Sequence, residues 1–148
     1  MTNPEARYRI GEVAEAAGVS TRTLRYYEEL GLVSPSGHSP GGARRYSDAD
    51  LARVLRIREL QHLVGFNLDE IKTIVAAEAR LDQLRSEFKA GGPPQREREL
   101  VAEAIEINDR LREDMQAKLS RLETFLADLD ARAALYRRRA KEPKRAKQ

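Results

Sequence analysis

The sequence has no cysteine and no tryptophan, and aromatics make up only 5% of its 148 residues. The missing cysteine excludes disulfide staples, thiolate metal sites, thiol redox switches and a cysteine nucleophile together. Few aromatics predict a modest core. No apolar run approaches the roughly 18 residues that suggest a membrane-spanning helix, and MTNPEARYRIGEV has no apolar signal-peptide core. The expectation is a soluble, cytoplasmic protein with no membrane partner. The two histidines, His38 and His62, fall on separate expected elements, which argues against a histidine metal site; no cofactor is expected. Charge, by contrast, is abundant at 34% of the residues. That composition suits a helix-rich chain with one compact domain and an appendage.

The net charge of +3 conceals its distribution. Residues 1–72 carry ten basic and ten acidic side chains, and residues 73–131 carry nine and thirteen. Residues 132–148 carry eight basic and one acidic, so the basic pI is set by the tail and says little about the folded part.

Apolar spacing divides the chain. Ile10, Val13, Ala14 and Ala17 lie on one face of a short helix that Gly18 ends. Ser20 suits an N-cap for the next helix, TRTLRYYEEL, which stops at Gly31. Helix, three-residue turn, helix is the spacing of a helix-turn-helix. The following SPSGHSPGGARRYS is rich in turn residues, and Leu32-Val33 before it and Arg44–Tyr46 after it are expected to pair as a hairpin wing. Ser47 with Asp50, and Asn67 with Glu70, have the spacing of capping boxes for a third helix and a shorter fourth one. The resulting fold class is mainly all-α, with a small β wing on a winged helix-turn-helix.

The expected domains are a winged helix-turn-helix unit over 7–75, a connector over 76–97 with a helical segment and a GGPP break, a coiled-coil helix over 98–139 and a disordered basic tail over 140–148. The long helix carries the clearest periodicity. Leu100, Ala104, Ile107, Leu111, Met115, Leu119, Leu122, Leu126, Leu129, Ala133 and Tyr136 recur every three or four residues, with a stutter around Leu111–Leu119. A helix roughly 65 Å long cannot hide such a stripe on a small domain. An identical chain is the simplest partner, and Leu111, Met115, Leu119, Leu122, Leu126 and Leu129 are the expected homodimer seam.

On the second helix, Arg22, Arg25 and Tyr26 fall within one 100° sector, while Leu24 and Tyr27 point towards a core. Two guanidiniums and a phenol suit duplex DNA, because arginine pairs bidentately with guanine or phosphate and hydroxyls bond phosphate oxygens. The competing reading is a solvated face paired with Glu28 and Glu29. Arg44, Arg45 and Tyr46 at the wing, and Arg53 and Arg56 on one face of the third helix, extend the basic surface over three successive elements. That placement favours DNA.

The segment YRIGEVAEAAGVSTRTLRYYEELGLVSPSGHSPGGARRYSDADLARVLRIRELQHLVGFNLDEIKTIV, residues 8–75, resembles the winged-helix DNA-binding domain of the MerR family of bacterial transcription regulators. TLRYYEELGL, RRYSDADL and GFNLDEI are its most specific parts. The resemblance implies an antiparallel pairing of the long helix. It also implies a homodimer on a pseudo-palindromic promoter that bends and untwists an over-long spacer so that RNA polymerase engages both elements. By position, Arg22, Arg25, Tyr26 and Tyr27 would contact DNA, Ser20, Thr21 and Thr23 would support them, and Arg44, Arg45 and Tyr46 would act from the wing. Tyr27 fits least well, since the helical wheel turns it inward.

Metal- and redox-sensing relatives use cysteines that this chain lacks, and fewer than ten residues follow the helix, so an appended effector domain is not expected. A small-molecule effector near EFKAGGPP is the remaining sensing hypothesis. GGARR lacks the residues of a phosphate loop, and the helix carboxylates alternate with arginine as surface pairs, so no catalytic set is assembled. The alternative function is an architectural DNA-bending or recombination accessory protein.

Overall fold

The computed structural model describes residues 5–142. Local side-chain chemistry starts the second, third and fourth helices where the sequence reading places them. Helix α1, Ile10–Ala17, buries Val13, Ala14 and Ala17, and Gly18 ends it at φ 68°. An L-residue is strained at that angle, and a Cβ on Gly18 would also lie 2.8 Å from the Arg58 guanidinium. Helix α2, Thr21–Glu29, opens on Ser20, whose Oγ accepts from the Thr23 amide at 3.0 Å. Helix α3, Asp48–Glu59, and helix α4, Leu68–Ala90, open on reciprocal capping boxes, Ser47 with Asp50 and Asn67 with Glu70. Each box satisfies amides that the first turn leaves without a helical acceptor.

Strand β1, Gly37–His38, pairs antiparallel with β2, Arg44–Arg45. This differs from the expected hairpin. Leu32 and Val33 are instead fully buried in the core, and Tyr46 pairs its backbone with Tyr8 at 2.9 and 2.8 Å. The apolar pair gains more by leaving water than by joining a two-sided wing. The tight Ser39–Ala43 turn, closed at 2.7 Å, then fixes which residues meet. From α3 the chain passes through a widened π turn, Leu60–Val64, to Gly65 at φ 79°.

α1 packs on α2 and α3, and α3 packs on α4. Their shared core includes Leu24, Tyr27, Tyr46, Val54, Ile57 and Ile71. The expected border between residues 75 and 76 falls inside α4, which is continuous over 23 residues because no glycine or proline interrupts it before Gly91. The chain divides into a compact unit over Met1–Gly91 and a second over Gly92–Gln148. Among its described residues, the second unit is one helix, α5, Pro94–Lys141, 48 residues long with proline at its first position. The expected border at 97/98 therefore lies inside α5, as do the first residues of the expected tail. Residues 143–148 of that tail lie outside the described residues. Along α5, Leu111 and Met115 are half-buried, while Leu119, Leu122, Leu126 and Leu129 are exposed, as is Phe125 beside them. No helix of the described residues is long and apolar enough to cross a membrane.

Candidate nucleic-acid interface

The packing of α2 sorts its side chains. Leu24 and Tyr27 enter the core, which turns Arg22, Arg25 and Tyr26 outward together; Tyr26 is 48% exposed. Among the described residues Arg22 and Arg25 have no hydrogen-bond or ion-pair partner, so the paired-face reading of these arginines fails. Ser20 and Thr21 are exposed at the same helix start, and Thr23 is half-buried with its hydroxyl 2.9 Å from that of Ser20.

Tyr27 is a correction to the expected contact set. It is buried, and its hydroxyl donates to Gln61 Oε1 at 3.2 Å. Burial pushes its pKa up, opposed in part by the nearby Arg58 charge. Tyr46 is a second correction. It is 0% exposed, and its hydroxyl donates to Glu28 Oε1. Burial first, and then the bond to Glu28, hold this phenol protonated well above the usual tyrosine range. A side chain so enclosed is a wing anchor, not a contact.

Arg44 is exposed on the wing, and its Nε forms an ion pair with Glu28 Oε2 at 2.8 Å. Glu28 is itself largely buried and, through its two oxygens, joins the end of α2 to the wing. Arg45 is half-buried, with Nη1 donating to the Arg44 carbonyl at 3.2 Å.

On the third helix the expected arginines have partners within the unit. Arg53 Nε donates to the Leu32 carbonyl at 2.5 Å. Arg56 clasps Glu78 on α4 through Nε at 3.1 Å and Nη2 at 2.9 Å, and reaches Glu59 at 2.9 Å. Those bonds, the Glu78 bond foremost, raise the Arg56 pKa. Both arginines share a helix face, and each is also tied to another part of the unit, Arg53 to the Leu32 carbonyl and Arg56 to Glu78.

Three features escaped the sequence reading. Arg58 donates Nη1 to the Ala17 carbonyl at the end of α1, while its buried Nε has no partner among the described residues. Ser36 donates its amide to Asp50 Oδ2 at 3.0 Å and its hydroxyl to the same oxygen at 2.5 Å, securing the base of the wing to α3. Arg7, Tyr8 and Asp48 form an exposed cluster in which Tyr8 donates to Asp48 at 2.6 Å and Arg7 pairs with Asp48 at 3.1 Å. The Tyr8 hydrogen bond is the main cause of a raised Arg7 pKa. Their partners lie 14 to 41 residues away in sequence, where no local pattern signals them. Among the described residues no cluster of three histidines or carboxylates is arranged to hold a metal ion.

Residues 8–78 match the family of MerR HTH family regulatory proteins. The chain is 38% identical over 141 residues to the nodulation protein NolA of Bradyrhizobium sp. (strain NC92), covering 93% of this chain and 56% of that protein. It therefore spans little more than half the length of that relative. It is 37% identical over 129 residues to the mercuric resistance operon regulatory protein of Shigella flexneri, covering 87% of this chain and 78% of that protein. A crystal structure of a MerR family transcriptional regulator from Bacillus cereus aligns at 26% identity and a TM-score of 0.46, covering 95% of this chain and 87% of that one. Among the described residues, an exposed and unpaired arginine pair on the second helix of a helix-turn-helix agrees with the match over the winged region, and the chain belongs to the family of MerR HTH family regulatory proteins.

Proposed function

We propose that the chain acts as a homodimer on a pseudo-palindromic promoter, with one copy of α2 in the major groove of each half-site and the wings on the flanking backbone. The observation that carries this reading is the face of Arg22, Arg25 and Tyr26, exposed on α2 while its other side is locked into the core. Ser20, Thr21 and Thr23 support that face at the helix start, and Arg44 and Arg45 supply charge from the wing. Phosphate contacts set position, and base-edge contacts from the arginines set sequence.

The homodimer rests on the exposed stripe through Leu119, Leu122, Leu126 and Leu129 of α5, continued at the half-buried Leu111 and Met115. A helix of 48 residues with such a stripe needs a second helix to cover it. An antiparallel pair of α5 helices would set the distance between the two copies of α2, and hence the half-site spacing. Binding both half-sites across an over-long spacer bends and untwists the centre, and the contacts offset the deformation energy. RNA polymerase is then a partner through the promoter, engaging both elements once they are realigned.

Genome-wide footprinting with the purified chain at single-nucleotide resolution tests this. The expected result is a small set of inverted repeats centred in over-long promoter spacers, with enhanced cleavage at each centre. Broad protection without sequence preference would overturn it in favour of an architectural DNA-bending protein.

A further inference from the structure

Glu28 is a negative charge at the end of the helix that meets DNA, and plain electrostatics makes it a liability there. Its geometry says otherwise. One carboxylate oxygen accepts from the buried Tyr46 hydroxyl, and the other lies 2.8 Å from Arg44 Nε. Tyr46 is fixed in turn by its backbone pairing with Tyr8 and by complete burial. The carboxylate is therefore held by the core on one side and holds a wing arginine on the other.

The closest approach of that ion pair is through Nε. Among the described residues the two terminal nitrogens of Arg44 have no partner, and the side chain is 49% exposed. A guanidinium anchored through one edge keeps its other nitrogens in a fixed fork, the arrangement that takes two phosphate oxygens at once. An arginine on a glycine-flanked wing otherwise gives up rotamer freedom when it binds.

We infer that Glu28 is a positioning residue for DNA binding: it joins α2 to the wing and pre-orients Arg44 so that the terminal nitrogens of its guanidinium receive a backbone phosphate. This rests on the reading that Arg44 contacts DNA. It adds that a carboxylate near the duplex strengthens binding, opposite in sign to its charge. The hydrogen bond from Tyr46 and the ion pair with Arg44 use different oxygens, so glutamine at position 28 retains one acceptor and turns a donor towards either Tyr46 or Arg44.

The test is a double-mutant cycle between Glu28→Gln and Arg44→Ala. Binding is measured to a duplex of about three helical turns selected from a random library by the unmodified chain, across a salt series. Measurements are made below the melting transition of every variant. Arg44→Ala is expected to weaken binding and to flatten the dependence of log K on log salt by roughly one contact per copy. Glu28→Gln is expected to weaken binding roughly two- to tenfold, the cost of immobilising one long side chain afresh. The same change in the Arg44→Ala background is expected to do nothing further.

Arg44→Lys provides a second test that leaves Glu28 in place. A single ammonium cannot hold Glu28 at one edge and present a fork at the other, so this variant is expected to bind like Arg44→Ala despite its retained charge. Tighter or unchanged binding by Glu28→Gln, an undiminished penalty in the Arg44→Ala background, or native binding by Arg44→Lys overturns the inference while the wing contact stands. If Arg44→Ala leaves both affinity and salt slope unchanged, the wing contact itself is wrong and the inference falls with it.

Discussion

The two units of the chain differ in how many of their apolar residues they enclose. In the first, Leu24, Leu32, Val33, Tyr46, Val54, Ile57 and Ile71 are all but sealed from water. In the second, Leu122, Phe125 and Leu126 each remain more than half exposed. Polar groups divide similarly. The winged unit joins elements far apart in sequence, Arg56 to Glu78 and Ser36 to Asp50, whereas pairs such as Arg110–Glu106 stay within one stretch of α5. The winged unit thus builds a closed core of its own, although Leu63 and Val64 at its π turn remain exposed. The long helix presents an incomplete one, and that incompleteness is what a partner helix would answer.

The difference is most sharply broken by attacking the stripe. Replacing Leu122 and Leu126 together with Asp is expected to leave a monomer by analytical ultracentrifugation. Affinity for a full two-half-site operator should fall by about a hundredfold or more, because the second half-site no longer binds intramolecularly. The winged unit should keep its near-native amide spectrum. A dimer that survives both charges would mean that the chain associates through some other surface.

The mirror experiment is Leu24→Ala. This residue is fully buried between the helices of the winged unit, so the substitution is expected to cost about 2–5 kcal/mol through lost burial and a residual cavity. Its melting transition should drop at every protein concentration, whereas a defect in the stripe should fade as concentration rises. Next in size come Arg22→Ala and Arg25→Ala. Each is expected to cost about 1–3 kcal/mol in specific DNA binding where a base is read, and less where only phosphate is touched. Both arginines are exposed and unpaired among the described residues, so the melting temperature should hardly move. Full affinity in both variants would remove α2 from the recognition role.

How much of this was legible beforehand depends on how local each interaction is. Ser20, Ser47 and Asn67 start helices through bonds to an amide three residues on, so their role shows in the sequence itself. The exposed face of α2 was legible for the same reason, since a helical wheel needs only one element. The wing was not. Two strands of two residues each offer too little alternation to set a register, and the apolar Leu32-Val33 pair imitated a strand while belonging to the core. The ties of Arg53 to a backbone carbonyl and of Arg56 to Glu78 were not legible, because both partners lie more than 20 residues away. Tyr46 shows the sharpest limit. Its neighbours Arg44 and Arg45 sit on the wing, and only the backbone pairing with Tyr8 reveals that the ring turns inward.

That buried phenol makes alkaline pH a selective probe of the first unit. A tyrosine in the unfolded chain begins to lose its proton near pH 10. Tyr46 in the folded chain is held protonated to higher pH by burial and Glu28. Above pH 10 the unfolded state therefore binds fewer protons than the native one, and stability falls as pH rises, by at most about 1.4 kcal/mol per pH unit for one group. Tyr27 adds in the same direction, partly offset by Arg58. Urea melts of the native chain and of Tyr46→Phe over this range are expected to differ in slope, with the phenylalanine variant flatter. Parallel slopes would show that the enclosed hydroxyl does not govern the alkaline response.

The smallest effects are expected from the ion pairs, and their ranking extends the same contrast. Arg56 bridges α3 to Glu78 on α4 through three close contacts, so Glu78→Gln loosens the packing of two elements and is expected to cost about 0.5–1 kcal/mol. Glu106→Gln removes a partner of Arg110 one turn away on the same helix, where both side chains are about 70% exposed. Water solvates those charges almost as well as they solvate each other, and no second element depends on them. Its melting temperature is expected to match the native value within error, with or without added salt, in paired thermal scans. A loss for Glu106→Gln as large as that for Glu78→Gln would mean that the surface charges of α5 are covered in solution, so that the partner of the long helix reaches beyond its apolar stripe.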